Sequence, residues 1–291
     1  MRKTIFTLMG FAVCLLVSCT QEKNDLEQYQ VKGNVKSIMT KYFKAVEKFG
    51  EVTLGDCRFY DDSGLVCFNT DGLITEKTSY DCDGSILTKS VYEYDSDNLL
   101  SNVTYYKVDW QHPNGSLDSK EVYQYNEKRQ LVQSIRYDSN GVEILKVIYE
   151  WEGKNCVKTM TYHNELLSRV QVNEYNGNSI VKSVLTDSDG IEIKRMEYAD
   201  NRLSKEVIKD YVSKSSEIKN SVPKEDIITT YRYNDKGLCC EIGDASLTLS
   251  KGKSYTFEYE YDQKGNWIKC TKKNSQTKIA TIIAIREITY Y

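Results

Sequence analysis

Proline and histidine are nearly missing from this chain, with two of each in 291 residues. Pro113 and Pro223 both fall in segments that read as loops. His112 stands beside Pro113, and His163 follows Tyr162 near a turn. Isolated histidines in such settings read as surface polar residues, not as ligands or bases. No HExxH, G-x-S-x-G, Walker or G-x-G-x-x-G pattern occurs, so no recognisable catalytic or phosphate-binding framework is present. No CxxC occurs either, which removes the zinc and thioredoxin readings. Neither charge dominates: 39 Lys and Arg face 42 Asp and Glu. That balance gives no case for nucleic acid. Beyond the first twenty residues no apolar run approaches a membrane span.

The cysteines do not form a disulfide scaffold by spacing. Of nine, Cys14 and Cys19 lie in the N-terminal segment. The other seven are Cys57, Cys67, Cys82, Cys156, Cys239, Cys240 and Cys270, an odd number that cannot all pair within one chain. A Cys57–Cys67 bridge across one hairpin is an option, but its geometry is demanding. Core thiols are the default for the rest.

What is present begins with MRKTIFTLMGFAVCLLVSC. Arg2 and Lys3 precede an apolar stretch from Ile5 to Val17, the pattern of a secretory signal peptide. Leu16-Val17-Ser18-Cys19 resembles the lipobox of bacterial lipoproteins. The resemblance implies cleavage before Cys19 and acylation of that cysteine. Thr20 rather than Asp follows, which by analogy with lipoprotein sorting implies an outer-membrane address, periplasmic or surface-exposed. Removing residues 1–18 takes away Arg2 and Lys3 and moves the formal charge from −3 to −5. Residues 19–30 read as a polar, flexible tether. Residues 31–291 read as one domain.

Within that domain one motif recurs. Tyr60 to Gly64, Tyr80 to Gly84 (YDCDG), Tyr137 to Gly141, Tyr233 to Gly237 and Tyr261 to Gly265 all match Tyr-[Asp/Asn]-x-x-Gly. FNTDG, YDSDN, TDSDG and YNEKR are looser relatives. The pattern has a mechanical reading. Tyr80, Tyr137, Tyr233 and Tyr261 end strands. Asp81, Asp138, Asn234 and Asp262 accept N–H groups just ahead. Gly84, Gly141, Gly237 and Gly265 supply the positive φ that lets the chain reverse. Between turns the period is two, as in Tyr255, Phe257, Tyr259 and Tyr261. Lys32 to Met39 reads as the first strand, although Tyr42 to Phe49 could take a helical turn. Three segments break the rhythm: 107–120, 209–226 and 243–253. They read as longer surface loops suited to partner contact.

The recurring Tyr-Asp-x-x-Gly, with Tyr-x-Tyr-[Asp/Asn] at Tyr92–Asp95, Tyr123–Asn126, Tyr231–Asn234 and Tyr259–Asp262, resembles the YD (RHS-type) repeat. It is similar in particular to lipid-anchored YD-repeat-like proteins of Bacteroidetes. That likeness covers most of residues 55–291. It implies an all-β fold of antiparallel hairpins forming one long curved, twisted meander sheet. The repeats look too few for a closed shell. What the likeness implies is an architecture, not a reaction.

The turns are also the only candidates for metal or acid/base chemistry. Asp81-Cys82-Asp83-Gly84 and Asp187-Ser188-Asp189-Gly190 hold only a fragment of a calcium loop, with no properly spaced Glu. Other copies place Lys264 or Asn140 at the second acidic position, which a required ligand would not tolerate. Cys82 thus reads as a passenger in a variable slot. No carboxylate pair stands out for glycoside hydrolysis. The expectation is a protein without cofactor, metal or catalysis, acting as a structural or protein-binding module at the cell envelope. A glycan-binding accessory protein, stacking sugars on Tyr and Trp, is the alternative. Trp110, His112, Trp267 and the loop Ser213 to Pro223 are the candidate contact residues.

Overall fold

The computed structural model describes residues 24–60, 62–108, 111–112, 115–209, 226–244 and 254–291. Among them one helical turn, α1 (Asp25–Gln28), precedes nineteen strands. The first two are β1 (Val35–Lys48) and β2 (Glu51–Arg58). The chain then runs as a meander through β3 (Gly64–Phe68), β4 (Ile74–Tyr80), β5 (Ile86–Tyr94), β6 (Leu100–Lys107), β7 (Ser116–Tyr125), β8 (Leu131–Asp138) and β9 (Glu143–Glu152). It continues through β10 (Asn155–His163), β11 (Leu166–Asn176), β12 (Ser179–Asp187), β13 (Glu192–Ala199) and β14 (Arg202–Ile208). It ends with β15 (Ile227–Tyr233), β16 (Cys239–Asp244), β17 (Tyr255–Tyr261), β18 (Trp267–Asn274) and β19 (Ala280–Tyr290). The segment Tyr42 to Phe49 belongs to β1 and its turn, not to a helix.

The sheet is a closed ring, not the open curved meander that the repeats imply. From β3 to β19 each strand pairs antiparallel with the next. β1 joins the two ends: Ser37–Thr40 pair with β3, while Val35–Lys44 pair with β19 on the other side. Eighteen strands thus form the barrel, and β2 extends the C-terminal half of β1 as a side hairpin. Closure satisfies both sheet edges at once.

The N-terminal segment identifies the inner face. Asp25 is bonded to the start of β4, and Gln30 Nε2 donates to the Gly237 carbonyl beside β16. Along the wall those strands are six spacings apart, an arc of about 29 Å. Residues 25 to 30 begin with the helical turn α1, which rises only about 1.5 Å per residue, so even with the Asp25 and Gln30 side chains outstretched the connection is shorter than that arc. Only a chord across the concave side connects the two points. The face on which this segment lies carries Tyr92, Val103, Glu121, Arg136, Tyr259, Cys270 and Arg286, so the tyrosine-rich face is the lumen side. A ring of eighteen strands is wide enough for an aqueous interior.

Residues 25–30, expected in the tether, are therefore folded. Their polar composition hides Leu26 and Val31, which are buried against Val35, Ile38, Phe68 and Ile74. The opposite face points outward and carries cross-strand ion pairs one residue before five of the eight near-rim aromatics. They are Glu150–Lys158 at 3.3 Å, Glu174–Lys182 at 2.6 Å, Glu197–Lys205 at 3.2 Å, Glu241–Arg232 at 3.4 Å and Glu260–Lys269 at 2.6 Å. Lipid tails match a tall apolar band, not a ladder of charges.

Two local readings change. In Tyr60 to Gly64 the glycine is not a turn residue. Gly64 opens β3 at φ 148°, where a Cβ would lie 2.1 Å from the Thr78 carbonyl oxygen, so the backbones approach too closely for a side chain. Cys82, read as a passenger, is disulfide-bonded to Cys57 with Cα atoms 5.6 Å apart. The bridge ties β2 to the β4–β5 turn, and Cys67 on β3, the optional partner that the sequence offers Cys57, is a free thiol.

Candidate functional site

The near rim, where the N-terminal segment sits, is built by eight hairpins: β3–β4, β5–β6 and so on to β17–β18. Each has a register shift at its rim, where the aromatic residue or its counterpart pairs with the first or second residue after the turn. The turns follow the sequence reading. Asp138 Oδ1 accepts from Asn140 and Val142 on the far rim. Asn234 Oδ1 accepts from Lys236 and Leu238 on the near rim, and Asp262 Oδ1 from Lys264 and Asn266. Gly84, Gly141, Gly237 and Gly265 have φ of 87°, 81°, 80° and 80°. In YDCDG the acids are likewise spent on turn N–H groups: Asp81 accepts from Cys82 at 2.7 Å and Asp83 from Ser85 at 2.8 Å.

The aromatics do more than end strands, and sequence reasoning missed this. Six of them reach back to the hairpin before their own. Tyr94 donates its hydroxyl to the Ile74 carbonyl at 2.9 Å, Tyr125 to Leu100 at 3.1 Å and Tyr175 to Cys156 at 3.0 Å. Tyr233 donates to Leu203 at 2.9 Å, Tyr259 to Cys239 at 2.7 Å, and Trp151 Nε1 to Leu131 at 2.7 Å. Burial pushes the Tyr125 and Tyr149 hydroxyls up to about 12, so they remain donors at neutral pH. The signal was the Tyr-x-Tyr spacing, which fixes one aromatic face toward the lumen.

Between a turn and the next aromatic pair lies a groove. One, of about 460 Å³, is lined by Asn126, Lys128, Gln130, Tyr149, Trp151 and Gly153. Another, of about 330 Å³, is lined by Asp200, Arg202, Ser204, Tyr231 and Tyr233. Deeper on the lumen wall the charges are mostly compensated. Arg136 donates to Glu121 at 2.7 Å and to the Tyr105 hydroxyl at 3.0 Å. Lys194 pairs with Glu206, which also accepts from Tyr231. Lys272 differs: its ammonium lies 3.8 Å from the Tyr255 ring centroid, and burial pushes it down to about 8. Among the described residues no three His, Cys, Asp or Glu converge as a metal site.

The candidate contact residues do not come together. Trp267 is 5 % exposed on the lumen side, under the Arg286 guanidinium at 3.7 Å and against Tyr259. It packs the floor beneath the N-terminal segment. His112 is exposed in the β6–β7 loop, where its carbonyl accepts from Gly115. Trp110, Cys19 and the loop Ser213 to Pro223 lie outside the described residues.

No family model and no curated protein matches the chain. The likeness to YD repeats therefore rests on the turn motif alone. Among solved structures, a porin-like protein from Bacteroides uniformis aligns over 88 % of this chain and 98 % of its own, at 9 % identity and a TM-score of 0.42. A porin-like protein from Bacteroides vulgatus aligns over 89 % and 99 %, at 11 % identity and 0.31. A structure of TcdB2-TccC3-Cdc42 aligns over 86 % of this chain and 15 % of that one, at 10 % identity and 0.36. At these scores the architecture is argued from the strand pairings, not from the neighbours.

Proposed function

We propose that this chain is a lipid-anchored envelope protein whose barrel stands in water and serves as a non-enzymatic binding module. The observation that carries the reading is the opposition of the two sheet faces. The outer face bears the Glu–Lys ladder, and the inner face bears tyrosines with open grooves at the near rim. A wall of that kind suits a barrel surrounded by water on the outside. The signal sequence and Cys19 support attachment by lipid rather than by strands. Compensated lumen charges support binding over turnover, since Glu121 and Glu206 are each held by a cation and a tyrosine.

A glycan-binding accessory role is the second reading, and the half-buried Tyr149 and Trp151 beside the amides of Asn126 and Gln130 favour it. The test uses the full chain in a Gram-negative host. Fatty-acid labelling and membrane fractionation should show an anchored protein that Cys19→Ala releases. The purified mature chain should remain outside lipid vesicles and capture an envelope partner. Insertion into vesicles without the anchor would refute the water-facing barrel. Turnover of a glycosidic or peptide substrate would refute the non-enzymatic reading.

A further inference from the structure

The near-rim groove behind Tyr92 and Tyr94 is already filled, and its occupant is a peptide. Asn24, Asp25 and Leu26 lie between the β3–β4 turn and the aromatic pair of β5. Asp25 Oδ2 accepts from the Ile74 N–H at 2.6 Å and from the Tyr94 hydroxyl at 3.1 Å. Leu26 is 7 % exposed, in one cluster with Phe68, Ile74 and Tyr92. The fit is close: a Cβ on Gly72 would lie 2.9 Å from both Asn24 and Leu26. A carboxylate that meets two donors, followed by a leucine in an apolar floor, is a complete recognition element.

The construction recurs where no segment among the described residues fills it. In the groove behind Tyr149 and Trp151, the second aromatic donates to Leu131, as Tyr94 does to Ile74. In the groove behind Tyr231 and Tyr233, Tyr233 does the same to Leu203. Each of these two grooves also has a cation at hand, as the first has Lys77, whose ammonium lies 5.4 Å from the Tyr92 ring centroid. Lys128 lines one, and the Arg202 guanidinium lies 5.6 Å from the Tyr233 ring in the other. We propose that these two grooves are peptide sites whose ligand is a short segment carrying a carboxylate followed by leucine, the type that Asn24–Leu26 exemplifies. The proposal rests on the binding-module reading and names its partner's chemistry.

The test is fluorescence anisotropy with a labelled, end-capped peptide of the Asn24–Tyr29 sequence on the mature full chain. Saturable binding is expected. It should weaken at least tenfold when the peptide's Asp is replaced by Asn or its Leu by Ala. Arg202→Glu and Lys128→Glu, both at rim turns outside the aromatic ladder, should together reduce binding to the level of the Leu-substituted peptide. Circular dichroism and melting of the double variant verify that it folds. Binding that ignores both peptide substitutions, or survives the charge reversals in a folded protein, would overturn the proposal. So would a glycan panel that binds where the peptide does not. Capture of an envelope partner without peptide binding would overturn the peptide sites and leave the binding-module reading intact.

Discussion

The Tyr291 hydroxyl donates to the Phe68 carbonyl at 2.6 Å, joining residues 223 positions apart. It repeats, between the end of the meander and its beginning, the bond by which Tyr94 holds Ile74 and Tyr125 holds Leu100. Its N–H donates in turn to Asn34 at 3.0 Å. The aromatic ladder is thus continued across the seam that β1 closes.

Removing one hydroxyl from that ladder should cost about 1 kcal/mol, because the carbonyl it leaves is partly buried. Tyr125→Phe and Tyr291→Phe are the two informative variants. Urea melts should show similar losses for both. A loss confined to Tyr125→Phe would mean that the seam is not closed in solution.

The Cys57–Cys82 bridge closes a loop of 25 residues in the unfolded chain. Cys57→Ser or Cys82→Ser should lower stability by about 3 kcal/mol on chain-entropy grounds. Non-reducing mass mapping should show this pair joined and Cys67, Cys156, Cys239, Cys240 and Cys270 free. A Cys57–Cys67 product would contradict the β2 placement.

Acid should loosen specific turns. N–H groups of Val142 and Asn140 hold the Asp138 carboxyl below its ordinary value. Burial pulls Asp262 upward, but the Tyr290 hydroxyl and the turn N–H groups outweigh it and hold it low as well. A depressed carboxyl stabilises the fold above its unfolded pKa, and that contribution fades as pH falls through the folded value. Asn126 and Asn234 make the same turn bonds with a neutral side chain. Asp138→Asn with Asp262→Asn should therefore flatten the acid limb of the stability curve, read as thermal midpoints between pH 5 and pH 2.

Lys272 has the opposite sign. Burial disfavours its ammonium, so the fold gains stability as pH rises from about 8 toward the ordinary lysine value. Lys272→Met should stabilise the protein at pH 7 by about 1–2 kcal/mol. The difference from the parent should vanish above roughly pH 10.5. A destabilised variant at pH 7 would show that the ammonium has a partner that offsets its burial.

The β1–β2 turn breaks a local rule. Phe49 and Gly50 both have positive φ, 54° and 83°, the arrangement of a two-residue turn that favours Asn-Gly. Phe49 is also fully exposed. Phe49→Asn should stabilise the protein by about 1 kcal/mol, measured by thermal melting.

How far this was legible in the sequence depends on range. Tyr-Asp-x-x-Gly was readable because Asp138, Asn234 and Asp262 meet their partners within four residues. The alternation that aims Tyr255, Phe257, Tyr259 and Tyr261 at one side was readable for the same reason. Closure was not, because β1 meets β19 about 250 residues later, and that pairing leaves no local mark. The folded N-terminal segment was hidden by the charged residues around Leu26 and Val31. The Cys57–Cys82 pair was hidden because Cys82 sits in a turn slot that other copies fill with Ser, Asp or Gln. Tyr-x-Tyr was seen as a strand signature. Its second role, the bond to the preceding hairpin, needs the bulged residue after each turn and appears only in three dimensions.

The closure by β1 has a temporal consequence. β1 and β3 form early in chain order, but the second partner of β1, β19, comes after every other strand. A chain synthesised from its N-terminus therefore carries an unsatisfied edge along β1 for as long as its meander is growing. The leading edge of that meander advances with each new hairpin until Ala280–Tyr290 emerges and removes both edges in one step. A nascent or truncated form of this protein is a strip with two adhesive borders, and its exposure to other nascent strips ends only with its final strand.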